Sequence, residues 1–227
     1  MSTETTENLD PRIGELLNAG AHFGLTRTRR HPSIKGRILV TKNKTDIINA
    51  IGTIADIEKA KAFLDSITTN GGKILFVGSK PEVRDITSKF ADQTTNFSMA
   101  YRWVGGTLTN MPEIRKRLNR LEEIRKGKET GDINKYTKKE RGMMEKEAEK
   151  LNETFGGLVG ITEMPDAVLL IDAKYEDIAK KEAKKMNIPV VAITNTDTNI
   201  QGIDYPIIAN DSSISSVSLI LSMLFNK

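Results

Sequence analysis

Cysteine is absent from this 227-residue chain, and histidine occurs only twice. The lack of cysteine excludes disulfide frameworks, thiolate zinc sites, iron–sulfur clusters and cysteine nucleophiles, and it fits a reducing compartment. Any ion site would therefore have to be built from histidine and oxygen ligands. His22 with nearby carboxylates is one candidate for such a site, and a packed or hydrogen-bonded histidine is the alternative.

Long apolar runs and a secretory signal are also absent. The longest apolar-rich stretch, VSLILSMLF at 217–225, is about half as long as a bilayer span. The N-terminal sequence MSTETTENLDP is polar and acidic, without the basic and apolar regions of a signal peptide. With 38% hydrophobic and 28% charged residues, we expect a soluble, cytosolic protein of one large domain, or of one domain with an appendage.

Positive charge is concentrated in two parts of the chain, although the net charge is only +4. Residues 111–150 contain 13 lysines and arginines against 9 acidic residues, an excess that equals the net charge of the whole chain. Residues 27–44, hereafter the basic segment, contain no acidic residue and seven basic ones, namely Arg27, Arg29, Arg30, Lys35, Arg37, Lys42 and Lys44. Phosphate backbones respond to such local positive faces, so both parts indicate contact with RNA.

Short apolar runs that alternate with amphipathic stretches predict an α/β fold with a doubly wound parallel sheet. Continuous apolar strands are typical of a parallel sheet that helices cover on both faces. The predicted strands are residues 73–77, 167–171, 189–193 and 206–209. The helices that alternate with them are predicted over residues 81–92, 175–186 and from 213 onward. Ser79 and Glu82 form a capping-box pattern for the first of these helices.

The N-terminal part is predicted to be less regular. Asp10 predicts the start of a short helix that ends at Gly20, and a longer helix is predicted over 53–68. Between these helices, residues 21–44 are expected to be irregular, apart from one short strand at 38–41.

The charged part of the chain interrupts the α/β pattern with two narrow apolar stripes. The first consists of Met111, Ile114, Leu118, Leu121 and Arg125, and the second of Met144, Ala148, Leu151 and Phe155. Steps of three and four on otherwise charged helices are coiled-coil spacing. Residues 111–155 are therefore predicted to form an antiparallel coiled-coil hairpin with a link at 127–136. It is inserted into a sheet domain of residues 9–110 and 156–227, with residues 1–8 as a flexible N-terminus.

Signatures of enzymes with this fold class are missing. The turn after the strand at 73–77 reads Gly78-Ser79-Lys80-Pro81 instead of G-x-G-x-x-G, and there is no P-loop sequence. Residues 195–199 imitate the start of a calcium loop, but Ile200 stands where the loop needs glycine. The alternative function is a small-molecule enzyme that uses the loops near Ser79 and Asn195. A membrane-surface protein that uses the basic hairpin is a further alternative.

Aromatic and basic residues near position 102 also favour RNA as the partner. Tyr101, Arg102 and Trp103 offer aromatic and guanidinium planes that can stack on bases, and Trp103 packed under the sheet edge is an equal alternative. The predicted RNA contacts are Arg27, Arg29, Arg30, Lys35, Arg37, Lys42, Lys44, Arg102, Trp103, Arg115, Lys116, Arg117, Lys138 and Lys139. No catalytic residue, metal ligand or cofactor is predicted.

Six blocks of the sequence resemble, in the same order, blocks of the bacterial form of the second protein of the small ribosomal subunit. They are LLNAGAHFG (16–24), GKILFVGSK (72–80), RWVGGTLTN (102–110), PDAVLLIDA (165–173), IAKKEA (178–183) and IPVVAI (188–193). The resemblance extends over roughly residues 9–225.

The resemblance implies a Rossmann-like α/β domain with an inserted coiled-coil hairpin, and a structural role in the cytoplasmic ribosome without catalysis. It implies contact with small-subunit ribosomal RNA between the head and the body of the subunit, partly through the hairpin. The implied protein partners are neighbouring small-subunit proteins. The large first protein of that subunit, which recruits messenger RNA, is a further candidate.

Three positions depart from the family pattern. Leu25 stands where the usual H-F-G-H has its second histidine, and residues 195–199 read NTDTN instead of the familiar Asp-Thr-Asn order. Both departures weaken the case for a metal site near His22. The sequence Arg30-His31-Pro32 replaces an aromatic-Asn-Pro sequence, which adds positive charge to the basic segment.

Overall fold

A parallel five-stranded sheet forms the centre of the computed structural model, which describes residues 10–225, with the backbone alone at Asn134. The predicted flexible N-terminus, residues 1–8, lies outside the described residues. The α-helices are α1 (Pro11–Asn18), α2 (Ala50–Thr69), α3 (Arg84–Gln93), α4 (Met111–Thr130), α5 (Lys138–Phe155), α6 (Asp177–Lys185) and α7 (Ile214–Phe225). The strands are β1 (Phe23–Thr26), β2 (Ile38–Lys42), β3 (Thr45–Ile48), β4 (Ile74–Val77), β5 (Phe97–Met99), β6 (Ala167–Ile171), β7 (Val190–Thr194) and β8 (Tyr205–Ile208).

The large sheet has the strand order β5-β4-β6-β7-β8, and every neighbouring pair in it is parallel. The chain moves outward from β4 to β5, and from β6 it moves in the opposite direction to β8. The winding therefore reverses between β4 and β6, which is the switch point of a doubly wound sheet. The predicted α/β class with a parallel sheet is confirmed.

The strands of this sheet send alternate side chains into two apolar layers. Ile74 and Phe76 of β4 pack in one cluster with residues of α1, α2, α3 and α7. Leu75 and Val77 pack in the other cluster, which contains the start of α4, the end of α5 and α6. Because every residue of β4 and of β6 is buried, the continuous apolar runs reflect burial on both faces of the sheet.

Most of the predicted elements are confirmed within a few residues. β6 has its predicted bounds, and β4, β7 and β8 each lie within one residue of theirs. Asp10 caps α1 as predicted, since its carboxylate accepts a 2.9 Å hydrogen bond from the Arg12 N–H. α2 begins earlier than predicted, because the Asn49 side chain accepts from the Ile51 N–H at 3.1 Å and caps the helix there.

Residues 21–44 are more regular than predicted, so the expectation of an irregular stretch is wrong. β1, β2 and β3 form an antiparallel sheet in the order β1-β3-β2, of which the sequence predicts only β2. β1 and β3 are four residues long and mix polar with apolar side chains, which leaves a weak pattern. Asn43 and Lys44 have φ values of 50° and 65° and form the two-residue turn between β2 and β3.

The capping-box prediction for the helix after β4 is also wrong. The N–H and hydroxyl of Ser79 donate to Glu176 Oε1, at 2.8 and 2.5 Å, instead of capping a helix. α3 begins later than predicted, after Val83, and no side chain caps it there. The short strand β5 has no counterpart in the sequence prediction, because three residues are too few to show a pattern.

α4 and α5 contact each other through side chains on their facing sides. Arg120 of α4 forms an ion pair with Glu147 at 3.2 Å, and Arg125 donates to Asn152 Oδ1 at 2.6 Å. The predicted stripe on α4 is buried except at Arg125, which is exposed. On α5 only Phe155 of the stripe is buried, and the other members are half-buried. The helices are confirmed, and their supercoiling stays a prediction.

Gly157 provides a test of the contact between the end of α5 and β5. A Cβ at this position would lie 2.3 Å from Ser98 Oγ and 2.4 Å from the Ser98 carbonyl oxygen, so Gly157→Ala must displace backbone. We expect it to lower the free energy of unfolding by about 1–3 kcal/mol in urea denaturation. As a control, Gly142→Ala in α5 meets no atom within 4 Å and should raise stability by about 0.5–1 kcal/mol. Equal effects of the two substitutions would contradict the contact.

Candidate nucleic-acid interface

Two arginines of the basic segment are bound to buried carboxylates. Arg30 donates to Asp46, whose side chain is fully buried, and Thr41 donates to the same carboxylate at 2.7 Å. The Arg30 guanidinium lowers the pKa of Asp46 below its ordinary value. Arg37 pairs with Asp56 at 2.7 Å, and there burial raises the pKa of the carboxyl despite the arginine. Arg30 therefore holds the loop after β1 to β3, and Arg37 holds the residues before β2 to α2.

Five cations of the basic segment remain exposed. They are Arg27, Arg29, Lys35, Lys42 and Lys44. None of them forms a side-chain hydrogen bond or ion pair with another residue between positions 10 and 225. Arg27 and Lys44 line an open cavity of about 610 Å³ together with Thr26, Thr28 and Thr41. Unpaired cations that line a cavity are suited to binding an anion such as a phosphate.

The predicted contacts near position 102 divide into an exposed arginine and a buried ring. Arg102 is exposed, whereas Trp103 is 8% exposed and its indole N–H donates to Glu182 Oε1 at 3.3 Å. Trp103 is therefore packed inside the protein, which is the alternative to RNA contact. The ring would have to leave this position to stack on a base. Arg84 lies 4.4 Å from the centre of the Tyr101 ring, so one face of that ring is already covered.

Glu182 organises the loop that follows Trp103, and no sequence pattern marks it as functional. Its carboxylate accepts from the backbone N–H groups of Gly106, Leu108 and Thr109, at 2.7, 3.1 and 3.3 Å. Burial raises the pKa of Glu182, but these hydrogen bonds outweigh it and bring the pKa below its ordinary value. Gly106 has a φ of 94°, which explains the glycine in this loop. The loop leads directly into α4.

The predicted contacts on α4 and α5 are all exposed. Arg115 donates to the Thr162 carbonyl, and Lys116 pairs with Glu113 at 2.6 Å. Arg117, Lys138 and Lys139 form no side-chain hydrogen bond or ion pair within the described part of the chain. The structure does not bring these residues together with the basic segment into one cluster.

The switch point between β4 and β6, where nucleotide enzymes bind their ligands, holds an internal ion pair. The Lys80 ammonium binds the Asp172 carboxylate and lies 3.8 Å from Asp211 Oδ1. Burial lowers the pKa of Lys80, but the carboxylates outweigh it and raise the pKa above its ordinary value. The Lys80 charge is therefore neutralised by the protein's own carboxylates.

His22, the candidate ion ligand, is packed against a neighbouring ring. Its ring centre lies 4.0 Å from that of Phe23, and burial lowers its pKa. Its buried Nδ1 has no hydrogen-bond partner among residues 10–225. Within the same residues, no group of three or more histidine and acidic side chains is placed to hold a metal ion. The described helices also include none that is long and apolar enough to cross a membrane.

Comparisons with known proteins point to one family. A family model described as Ribosomal protein S2 matches residues 16–226. The chain is 39% identical to the small ribosomal subunit protein uS2 of Salinibacter ruber over 212 residues, which are 93% of this chain and 66% of that protein. It is 37% identical to the uS2 protein of Dehalococcoides mccartyi strain 195, covering 86% of it. The uS2 protein of Chloroflexus aggregans is 36% identical, with 89% of it covered.

Asp211 at the switch point gives stability a specific pH dependence. Burial and the nearby charge of Asp172 raise the pKa of Asp211 to about 6, from 3.8 for an ordinary aspartate. The folded protein therefore binds the proton of the Asp211 carboxyl more tightly than the unfolded chain does. The stability that this proton binding contributes is lost as pH rises through about 6. From pH 5 to pH 8, the free energy of unfolding of the wild type should fall by about 1 kcal/mol relative to that of Asp211→Asn. Urea unfolding of both proteins measures this difference, and a difference independent of pH would contradict the assignment.

Proposed function

The chain belongs to the ribosomal protein S2 family, whose members are structural, non-enzymatic proteins of the small ribosomal subunit, and on this premise we propose that it binds small-subunit ribosomal RNA. The family resemblance in the sequence is thus confirmed, and the alternative of a small-molecule enzyme is set aside. The proposed place of action is the ribosome in the cytoplasm, between the head and the body of the small subunit. There the protein acts by holding RNA helices and neighbouring proteins in position.

The observation that carries the RNA proposal is the set of five exposed, unpaired cations in the basic segment. Arg30 and Arg37 are neutralised by buried acids, so they anchor the segment. The exposed cations belong to the segment that these anchors hold in place. The segment itself contains no acidic residue. Each phosphate that they neutralise would release bound counterions, so the binding is salt-dependent.

The pair α4 and α5 forms the second part of the proposed interface. We assign residues 111–155 to a coiled-coil hairpin inserted into a sheet domain of residues 9–110 and 156–227. Among its predicted contacts, Arg117, Lys138 and Lys139 form no ion pair within residues 10–225, and Arg102 lies exposed before the loop that leads into it. The hairpin would extend RNA contact beyond the reach of the basic segment.

An apolar row on the small sheet supports the docking of a neighbouring protein. Phe23 of β1 and Val40 of β2 both pair with Ile47 of β3, so the three side chains share one face of the sheet. Phe23 is 49% exposed and Val40 51%. An irregularity in the β2 pairing leaves Leu39 exposed as well, at 68%. We propose this row as the place where the large first protein of the small subunit docks.

Replacement of Arg27 and Arg29 by alanine tests the RNA proposal. The double variant should bind transcribed small-subunit ribosomal RNA about tenfold more weakly in filter binding. The slope of log affinity against log salt should become shallower by about one to two units, because two phosphate contacts are lost. Arg30→Ala is a poorer test, since it leaves the buried Asp46 without its cation and destabilises the fold.

The matched control removes two exposed lysines elsewhere, Lys59 of α2 and Lys185 of α6. Lys59→Ala/Lys185→Ala has the same net charge as the test variant. It should keep the affinity within about twofold and the salt slope unchanged, because neither lysine lies in the basic segment. Equal losses in both variants would mean that net charge, and not the basic segment, determines binding.

Replacement of Leu39 and Val40 by serine tests the docking surface. We expect the double variant to bind the purified first small-subunit protein at least tenfold more weakly in calorimetry, because apolar contact area is lost. Its affinity for RNA should not change. Ile178→Ser on α6, where the side chain is 59% exposed, serves as the control and should leave docking intact. Unchanged docking in the double variant would refute the assignment of this surface.

A further inference from the structure

One buried residue contacts both ends of a loop that carries three arginines. Residues 26–30, hereafter the arginine loop, contain Arg27, Arg29 and Arg30. At the start of this loop the Leu25 N–H donates to Thr196 Oγ1 at 3.0 Å. At its end the His31 N–H donates to the Thr196 carbonyl oxygen at 2.9 Å. The hydroxyl and the carbonyl of one threonine therefore hold the loop closed at its base.

Thr196 is itself fixed to the large sheet. It is completely buried and follows β7, and its N–H donates to Asn195 Oδ1 at 2.8 Å. The Asn195 N–H in turn donates to Asp211 Oδ2 at 3.1 Å. A continuous series of hydrogen bonds thus connects the ion pair at the switch point to the base of the arginine loop.

The close approach of β1 to Thr196 explains a glycine in the sequence. A Cβ on Gly24 would lie 2.7 Å from Thr196 Cγ2 and 2.9 Å from the carbonyl oxygen of Asp46. Any larger residue would push β1 away from both neighbours and lengthen the hydrogen bond from Leu25. The fit of Gly24 against Thr196 therefore keeps the base of the arginine loop at hydrogen-bond distance.

Within the loop, the Arg30 side chain is anchored to the buried Asp46, and two backbone hydrogen bonds add to this anchor. The Arg30 N–H donates to the Arg27 carbonyl at 3.2 Å and closes a short turn, and the Arg27 N–H donates to the Lys44 carbonyl at 2.9 Å. The side chains of Arg27 and Arg29 extend into solvent. An open loop would have to be ordered on binding, which costs conformational entropy. A loop that is closed beforehand avoids part of that cost.

We propose that Thr196 is a positioning residue for RNA binding, which closes the arginine loop and presents Arg27 and Arg29 to the phosphate backbone. This inference rests on the proposed function, because it concerns the affinity of that same interface. Thr196 touches no ligand itself. Its contribution is to reduce the number of conformations that the loop samples before RNA arrives.

The test compares Thr196→Val with Thr196→Ser. Valine has nearly the shape of threonine but no hydroxyl, so the Leu25 N–H loses its acceptor, whereas serine keeps the acceptor. Thr196→Val should bind transcribed small-subunit ribosomal RNA about fivefold more weakly. Its salt slope should be unchanged, because both arginines are still present. Amide hydrogen exchange at Leu25 should be at least tenfold faster, and Thr196→Ser should restore both properties to within about twofold of the wild type.

Thr194 supplies a matched control in the same part of the chain. Its buried hydroxyl donates to Thr198 Oγ1 at 2.6 Å and makes no hydrogen bond to the arginine loop. Thr194→Val therefore makes the same substitution and also removes a buried hydrogen bond, and it should leave RNA affinity unchanged. If Thr196→Val fails to fold, Thr196→Ala replaces it as the test variant. Alanine also removes the hydroxyl, but it places no methyl group beside the Leu25 N–H.

Several outcomes would overturn the proposal. Unchanged RNA affinity in Thr196→Val, with faster exchange at Leu25, would show that closing the loop does not position the arginines. An equal loss in Thr194→Val would show a general effect of buried hydroxyls. If Arg27→Ala/Arg29→Ala also binds normally, the proposed RNA function of the segment fails together with this inference. If that double variant is weakened and Thr196→Val is not, only the positioning role fails.

Discussion

A buried carboxylate must find hydrogen-bond donors, and this requirement determines where the irregular parts of the chain meet the sheet. An unpaired buried charge is too unfavourable to persist in a folded protein. Asp46 binds Arg30, Asp56 binds Arg37, and Glu182 accepts from the loop that leads into α4. At the switch point, Glu176 holds Ser79 and Asp211 faces Lys80. Each acid fixes one connecting segment, so loops without an apolar core of their own still have defined positions.

The same requirement sorts the cations into two groups. Arginines and lysines that reach a buried acid become part of the fold, as Arg30, Arg37 and Lys80 do. Those that form no ion pair or side-chain hydrogen bond among the described residues, such as Arg27 and Arg29, stay on the surface with their charge available. The interface and its anchor therefore come from one stretch of sequence, and neighbouring arginines have opposite roles. Counting charges along the chain cannot separate these roles, because the separation depends on distant acids.

The parallel sheet was predictable because each of its main strands is a continuous apolar run, buried on both faces. β1 and β3 were not predictable, since they are short and mix polar with apolar side chains, and β5 was not, because three residues are too few to show a pattern. The basic segment could be recognised from composition alone. Glu182 and Thr196 could not, because an acid on a helix and a threonine after a strand look ordinary until the fold shows which groups face them. Ser79 illustrates the same limit, since a distant acid takes the hydroxyl that a local pattern assigns to a helix cap.

The two ends of the α4–α5 segment are attached to different elements of the fold, namely α6 and β5, and this has a mechanical consequence. One end is held by Glu182 at Gly106, and the other by the close fit of Gly157 against Ser98 of β5. β5 is the outermost strand of the large sheet and has three residues. A force applied to these helices is therefore shared between α6 and the edge strand. Because the start of α4 packs in the same apolar layer as Leu75 and Val77 of β4, part of that force also reaches the centre of the sheet.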